Sequence, residues 1–217
     1  MYQFLNDNGN WGYTFNIIKG ECPYQCSYCY CRRWGKQAPL HFDEKELKTN
    51  LGEGNFIFVG SSCDDFALSI PYHWIKKQLA LCRLFPNNRY LFQSKNPARF
   101  NLFQFPPNTI LGTTIETNKD YRGISKAPPN WSRLLAMTDI EDYPKMVSIE
   151  PIMDFDLVIL VDWIKAIQPE FVSIGADSKG HNLPEPALDK VLALIEELRA
   201  ITKLHIKGNL KRILNKK

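Results

Sequence analysis

The sequence contains no apolar run approaching the roughly 18 to 20 residues that a membrane-spanning helix needs. The longest, around Leu157 to Ile167, is interrupted by Asp162 and Lys165. The opening stretch, Met1 to Gly12, is polar and aromatic, unlike the basic-then-apolar pattern of a signal peptide. These absences lead to the expectation of a cytoplasmic protein without membrane association. Neither the GxGxxG fingerprint of dinucleotide-binding sheets nor the phosphate-cradling GxxxxGK motif occurs. No internal repeat, low-complexity tract or linker divides the chain, so residues 1–217 read as a single domain.

What is present is an ordinary globular composition. Hydrophobic residues make up 44% and charged residues 23%, which argues against disorder, collagen and coiled coil. The net charge of +4 comes from the end of the chain: Lys203 to Lys217 holds six cations and no acid, and the remainder is slightly acidic. A basic tail of this kind either binds phosphate backbones or is a solvated helix end.

Short apolar runs alternate with amphipathic ones. Strands are expected at Tyr13–Ile18, Asn55–Gly60, Arg89–Ser94, Thr109–Ile115, Lys145–Ile149, Glu170–Gly175 and Leu204–Ile206. Helices are expected at Pro71–Phe85, Asn96–Phe103, Trp131–Thr138, Asp156–Ile167 and Pro186–Ile201. Stacked βα units imply a parallel sheet, either doubly wound or a full or partial barrel. The stretch Asn118 to Asn130, with Gly123 and the Pro128–Pro129 pair, reads as a long functional loop.

Cysteine is concentrated. Cys22, Cys26, Cys29 and Cys31 fall together after the first strand, whereas Cys63 and Cys82 stand alone. A secreted disulfide scaffold spreads its cysteines; this cluster points to a metal. Structural zinc usually takes two ligand pairs a dozen or more residues apart, and here all candidates sit on one loop. Cys22, Cys26 and Cys29 have C-x3-C-x2-C spacing. Three thiolates on one loop suit three irons of a [4Fe–4S] cube and leave the fourth open to a small molecule.

That spacing in a βα-repeat protein, with Tyr28 before the third cysteine, resembles the radical S-adenosylmethionine (SAM) superfamily. CPYQCSYCYCRR, FVGSSCDDF, LFQSKNP, LGTTIETN, VSIEPIMDFD and FVSIGADSKGHNLPEPALDKVLALIEEL together resemble its short phage Gp37/Gp68-like (DUF5131) members over about residues 11 to 207. Cys31 stands where that family has a small residue; it is a spare thiol or an alternative ligand. Cys63 either supplies a further ligand or lines the site, and Cys82 reads as a buried helix residue.

The resemblance implies a partial (βα)6-type TIM barrel, the radical SAM core. It implies that Cys22, Cys26 and Cys29 hold the cluster and that its open iron chelates the amine and carboxylate of SAM. An electron from a flavodoxin- or ferredoxin-type donor then cleaves SAM to methionine and a 5′-deoxyadenosyl radical, which takes hydrogen from substrate. Gly60, Ser61 and Ser62 stand in place of the glycine-rich segment that binds the SAM amino group, with Asp64 or Asp65 available to the ammonium. Lys95, after the third strand, faces the SAM carboxylate or a substrate phosphate. Strand alternation puts Thr114 on one face with Glu116, the ribose candidate, and Ser148 with Glu150. Asp177 is a substrate-binding candidate. The aromatics Trp11, Tyr13, Tyr24, Tyr28, Tyr30 and Trp34 either shield a radical, stack a base or pack the cysteine loop. The substrate is a nucleic acid or nucleotide, suggested by the tail, the aromatics and a looser likeness to spore photoproduct lyase-type CxxxCxYCY motifs, or else a small metabolite or peptide. The non-enzymatic alternative is a zinc- or iron–sulfur-binding module that interacts with nucleic acid.

Overall fold

The structure, a computed structural model, describes residues 1–5 and 11–215. The side chain of Trp11, and Lys216 and Lys217 at the end of the basic segment, lie outside the described residues. Strands β1 (Tyr2–Leu5), β2 (Trp11–Phe15), β5 (Phe56–Val59), β6 (Arg89–Gln93), β7 (Thr109–Thr114), β8 (Lys145–Ile149), β9 (Phe171–Ile174) and β10 (Lys203–Ile206) form one sheet in that order. β1 runs antiparallel to β2, and from β2 onward every pairing is parallel. The seven parallel strands curl into a half-barrel. A short antiparallel pair, β3 (Ile18–Lys19) and β4 (His41–Phe42), stands apart from it.

The first βα unit departs from expectation. The run from Tyr13 breaks after Phe15 because Asn16 turns out of the sheet: its amide pairs with the Ser61 hydroxyl at 3.1 Å and accepts from the Ser62 backbone N–H. Ile18–Lys19 then pairs with His41–Phe42 instead of continuing β2. The N-terminal strand was not foreseen from the sequence.

The helices follow the apolar periodicity. In α1 (Tyr72–Arg83) Ile75, Leu79 and Cys82 face the core, and Pro86 prevents further extension. α2 (Asn130–Thr138), α3 (Leu157–Ile167) and α4 (Leu188–Arg199) bury Ala136 and Met137, Leu160 and Ile164, and Val191, Leu194 and Leu198 respectively. Asn96–Phe103 forms a 3₁₀ turn over Pro97–Leu102. Among the described residues no helix is long and apolar enough to cross a membrane.

Parallel register divides each strand by face. Val59, Phe92, Leu111, Val147 and Ile174 pack under the helices. Leu91, Ile110 and Met146 form a separate small cluster on the concave face, with Phe58 and Phe171 beside it. Above that apolar floor the concave face becomes polar, with Gln93, Thr114, Ser148 and Ser173 at successive strand ends. Alternation carries the same face onward to Lys95, Glu116, Glu150 and Asp177.

The segment expected as a basic tail is built into the fold. Lys203 starts β10, and Leu210 and Ile213, the latter in α5 (Lys211–Leu214), are fully buried. Lys207 pairs with Glu150 at 2.6 Å, and Arg212 forms a two-pronged pair with Glu185. Two of the segment's cations are thus neutralised internally.

Candidate active site

The three spaced cysteines lie on the connection between β2 and β5, at the carboxyl ends of the parallel strands. Local hydrogen bonds fold the loop: Gln25 N–H donates to the Cys22 carbonyl, and Cys29 N–H donates to that of Cys26 at 3.1 Å. Gln25 has φ +45°, a left-handed kink within the C-x3-C spacing. Arg32 clamps the loop from the C-terminal side, its guanidinium donating to the carbonyls of Cys26 (3.0 Å) and Gln25 (3.1 Å). The 118–130 loop clamps it from the other side, through Ser27 N–H to the Ile124 carbonyl and Lys126 N–H to that of Tyr24. The Sγ of Cys26 lies 3.1 Å from the Ser125 hydroxyl.

The thiols differ in environment. The Cys31 thiol beside Cys29 lowers the Cys29 pKa to about 6, against the effect of burial. Cys63 does the same in direction for Cys22, while burial raises Cys26. Cys31 and Cys63 therefore each lie against a loop cysteine, while Cys82 is buried in α1. Among the described residues no three of His, Cys, Asp and Glu converge so as to hold a metal ion.

Glu116 is the hub next to this loop. It is 2% exposed and accepts from Lys95 Nζ at 2.6 Å, Arg133 Nη1 at 2.9 Å and the Tyr28 hydroxyl. Lys95 Nζ also donates to the Tyr28 oxygen at 2.9 Å. Burial raises the Glu116 pKa, but the Lys95 and Arg133 charges outweigh it and hold the carboxyl at about 2. Burial raises the Tyr28 phenol, keeping it protonated as a donor. Thr114, one step below on the same face, accepts from Gln93 Nε2.

The Gly60–Ser62 turn lies beside the cysteines. Gly60 has φ +76°, and an added Cβ would collide with the Asp65 carboxylate. The Ser61 and Ser62 carbonyls accept from Tyr30 and Cys31. Asp64 is occupied: its oxygens accept from the Ser94 hydroxyl at 2.6 Å and the Lys95 and Phe66 backbone amides. Asp65 and Gln78 are enclosed side by side, and their polar side-chain atoms make no well-formed hydrogen bond. Glu150 sits in a separate group with Lys207 and Asn209. Asp177 accepts from the His181 and Lys179 backbone amides and lies 2.6 Å from His181 Nδ1.

The structure therefore brings Tyr28, Lys95 and Glu116 together beside the cysteine loop, with Gly60–Asp64 adjoining and Glu150 apart. Arg133, Asn16 and Ser125 were missed. Arg133 had a signal: it shares the inward face of α2 with Ala136 and Met137, where a cation needs a partner. Under the 118–130 loop lies a pocket of about 340 Å³, lined among others by Tyr28, Glu116, Tyr121, Trp131, Arg133 and Trp163.

No protein-family model matches the chain, and no curated protein matches it significantly. Its fold is similar to that of a cysteine-to-serine variant of spore photoproduct lyase, with a TM-score of 0.66 and 12% identity over 89% of this chain and 76% of the other. Spore photoproduct lyase complexed with dinucleoside spore photoproduct gives 0.65 and 11%, over 88% and 75%. A variant with bound AdoMet and dinucleoside spore photoproduct gives 0.58 and 12%, over 88% and 61%. The expected partial (βα)6-type barrel is thus the fold of this chain, shared with spore photoproduct lyase at an identity that speaks for architecture alone.

Proposed function

We propose that the protein is a radical SAM enzyme of the short phage Gp37/Gp68-like (DUF5131) type. The observation that carries this reading is the C-x3-C-x2-C loop at the mouth of a parallel half-barrel, directly beside the Tyr28–Lys95–Glu116 group. The donor set fits an iron–sulfur centre in residue type and spacing, three cysteines on one doubly clamped loop, although their side chains do not converge in this structure. Cys22, Cys26 and Cys29 would hold a [4Fe–4S] cluster, which would supply the electron for reductive cleavage of SAM.

The chain's own residues bind and orient. Gly60 to Ser62 offer a turn without bulky side chains next to Tyr30 and Cys31. Lys95 presents a cation to the SAM carboxylate from a position fixed by Glu116. Glu116 reaches a ribose hydroxyl by exchanging one of its three donors. The pocket is of the size of small-molecule sites. Trp131, Trp163 and Tyr121 give it aromatic walls, and the unpartnered Asn130 Oδ1 and the Arg133 guanidinium give it polar edges suited to a nucleoside. Together with the dinucleoside complexes of spore photoproduct lyase, these walls support a nucleotide or nucleic-acid substrate over a peptide.

The test is anaerobic reconstitution with iron and sulfide, reduction with dithionite, and chromatography for 5′-deoxyadenosine. Wild type is expected to form it and Cys26→Ala to form none. Equal formation by both overturns the ligand assignment. Absence from a reconstituted wild type overturns the enzyme class.

A further inference from the structure

We propose that the exposed turn immediately after Cys29 is the docking surface for an acidic one-electron donor protein; this rests on the radical SAM reading. The turn, Tyr30–Trp34, is a 3₁₀ helix beginning one residue beyond the third loop cysteine. It presents Tyr30 at 45% and Trp34 at 54% exposure, large aromatic surface left in solvent. The two rings meet edge to face at 5.6 Å. The Arg33 guanidinium lies over both, 5.8 Å from the Tyr30 centroid and 5.3 Å from that of Trp34.

This surface is rigid without being buried. The Tyr30 hydroxyl donates to the Ser61 carbonyl, and Arg32 is bolted to the carbonyls of Cys26 and Gln25. Cys31 points inward toward the Ser62 carbonyl. A preordered cluster of Trp, Tyr and Arg has the composition of an interface hot spot, and its side-chain entropy is already lost before binding.

Its charge has one sign. Arg32, Arg33 and Lys36 are exposed, and Lys126 of the adjoining loop is tethered to the Gln25 side chain. The only acid from Glu21 to Lys36 is Glu21. An acidic partner is steered toward such a patch and held in register by it. Position selects the class of partner. Electron tunnelling falls exponentially with distance, so a donor must press against the surface nearest the cysteine loop, and this turn is continuous with Cys29. Ring geometry points the same way: edge-to-face packing under a shared guanidinium leaves no pair of parallel faces for a base to enter. The transfer moves one electron. The donor's reduced flavin or iron–sulfur group is oxidised by one electron, the centre on the cysteine loop is reduced by one, and no proton or group moves.

The test compares two reductants on the reconstituted protein. Wild type and the double variant Arg33→Glu/Lys36→Glu, both changed residues lying outside the SAM-binding groups, are assayed for 5′-deoxyadenosine with dithionite and with enzymatically reduced flavodoxin. The double variant is expected to keep its dithionite-driven rate within about twofold and to lose about tenfold or more of the flavodoxin-driven rate, as close charge pairs at an interface do. The wild-type flavodoxin-driven rate is also expected to fall steeply between about 50 and 300 mM salt. An unchanged flavodoxin-driven rate in the double variant overturns the proposal. Calorimetric binding of flavodoxin reads the surface independently of turnover. If wild type makes no deoxyadenosine with dithionite, the enzyme reading fails, while weakened flavodoxin binding by the variant still supports the surface. A variant that binds flavodoxin like wild type but loses affinity for a single-stranded oligonucleotide overturns the proposal in favour of nucleic acid.

Discussion

Lys95 and Glu116 form a contact of 2.6 Å between two adjacent strand ends, and the Tyr28 hydroxyl of the cysteine loop closes the triangle. The loop's position is thereby tied to the barrel by charge as well as by backbone hydrogen bonds. Glu116→Gln leaves Lys95 and the buried Arg133 without their carboxylate, and is expected to cost about 3–5 kcal/mol. Urea unfolding at neutral pH measures this; a change below about 1 kcal/mol contradicts the hub role.

The same carboxylate sets a pH dependence. Its folded pKa of about 2 lies below the ordinary value near 4.3 that it takes in the unfolded chain. The folded state therefore binds its proton less readily, and the stabilisation is present above about pH 4.3 and lost as pH falls toward 2. The stability difference between wild type and Glu116→Gln is expected to shrink over that window and to be flat between pH 6 and 8.

Asp65 acts in the opposite direction. Burial raises its carboxyl well above the ordinary range, so the folded state gives up the proton less readily than the unfolded chain, which ionises near pH 3.9. Its contribution is a destabilisation that grows as pH rises above that value. Asp65→Asn removes the ionisation and is expected to stabilise at pH 7, with little effect near pH 3. Thermal melts of the two proteins at both pH values give the comparison. Equal stability at pH 7 would show that Asp65 is charged and paired.

Gly60→Ala is expected to destabilise, through the positive φ and through collision of the new methyl with Asp65. The backbone term alone is of order 1–3 kcal/mol. In an Asp65→Ala background only that term remains, so the double-mutant cycle should show coupling of about 0.5 kcal/mol or more. Strict additivity would mean that the two residues do not meet.

Iron content separates the cysteines. Cys22→Ala, Cys26→Ala and Cys29→Ala are each expected to lose most of the roughly four irons of a reconstituted cluster. Cys31→Ala and Cys82→Ala are expected to retain them. Loss of iron in Cys31→Ala would place that thiol among the ligands.

The barrel was legible because its strands are short, apolar and separated by helices of clear period: β8 was read to its exact ends, and α2 and α3 each to within one residue. The first unit was not, because the break after Phe15 depends on Asn16 donating to the distant Ser61 hydroxyl and accepting from the Ser62 N–H in place of a strand neighbour. At the site, alternation put Thr114 with Glu116 and Ser148 with Glu150, but said nothing of their partners. That Glu116 meets Arg133 while Glu150 meets Lys207 depends on how α2 and the chain after β10 cross the strand ends, and local pattern carries no record of that. The positive charge near the chain end looked like a free tail for the same reason: Glu150 and Glu185, which neutralise part of it, are far away in sequence.

The most direct test of the central claim is electron paramagnetic resonance of the anaerobically reconstituted, reduced protein with and without SAM. The expected result is a [4Fe–4S] signal that changes when SAM is added, because SAM would bind the iron left without a cysteine ligand. A cluster signal indifferent to SAM, or a colourless protein holding zinc on the same cysteines, would contradict the account.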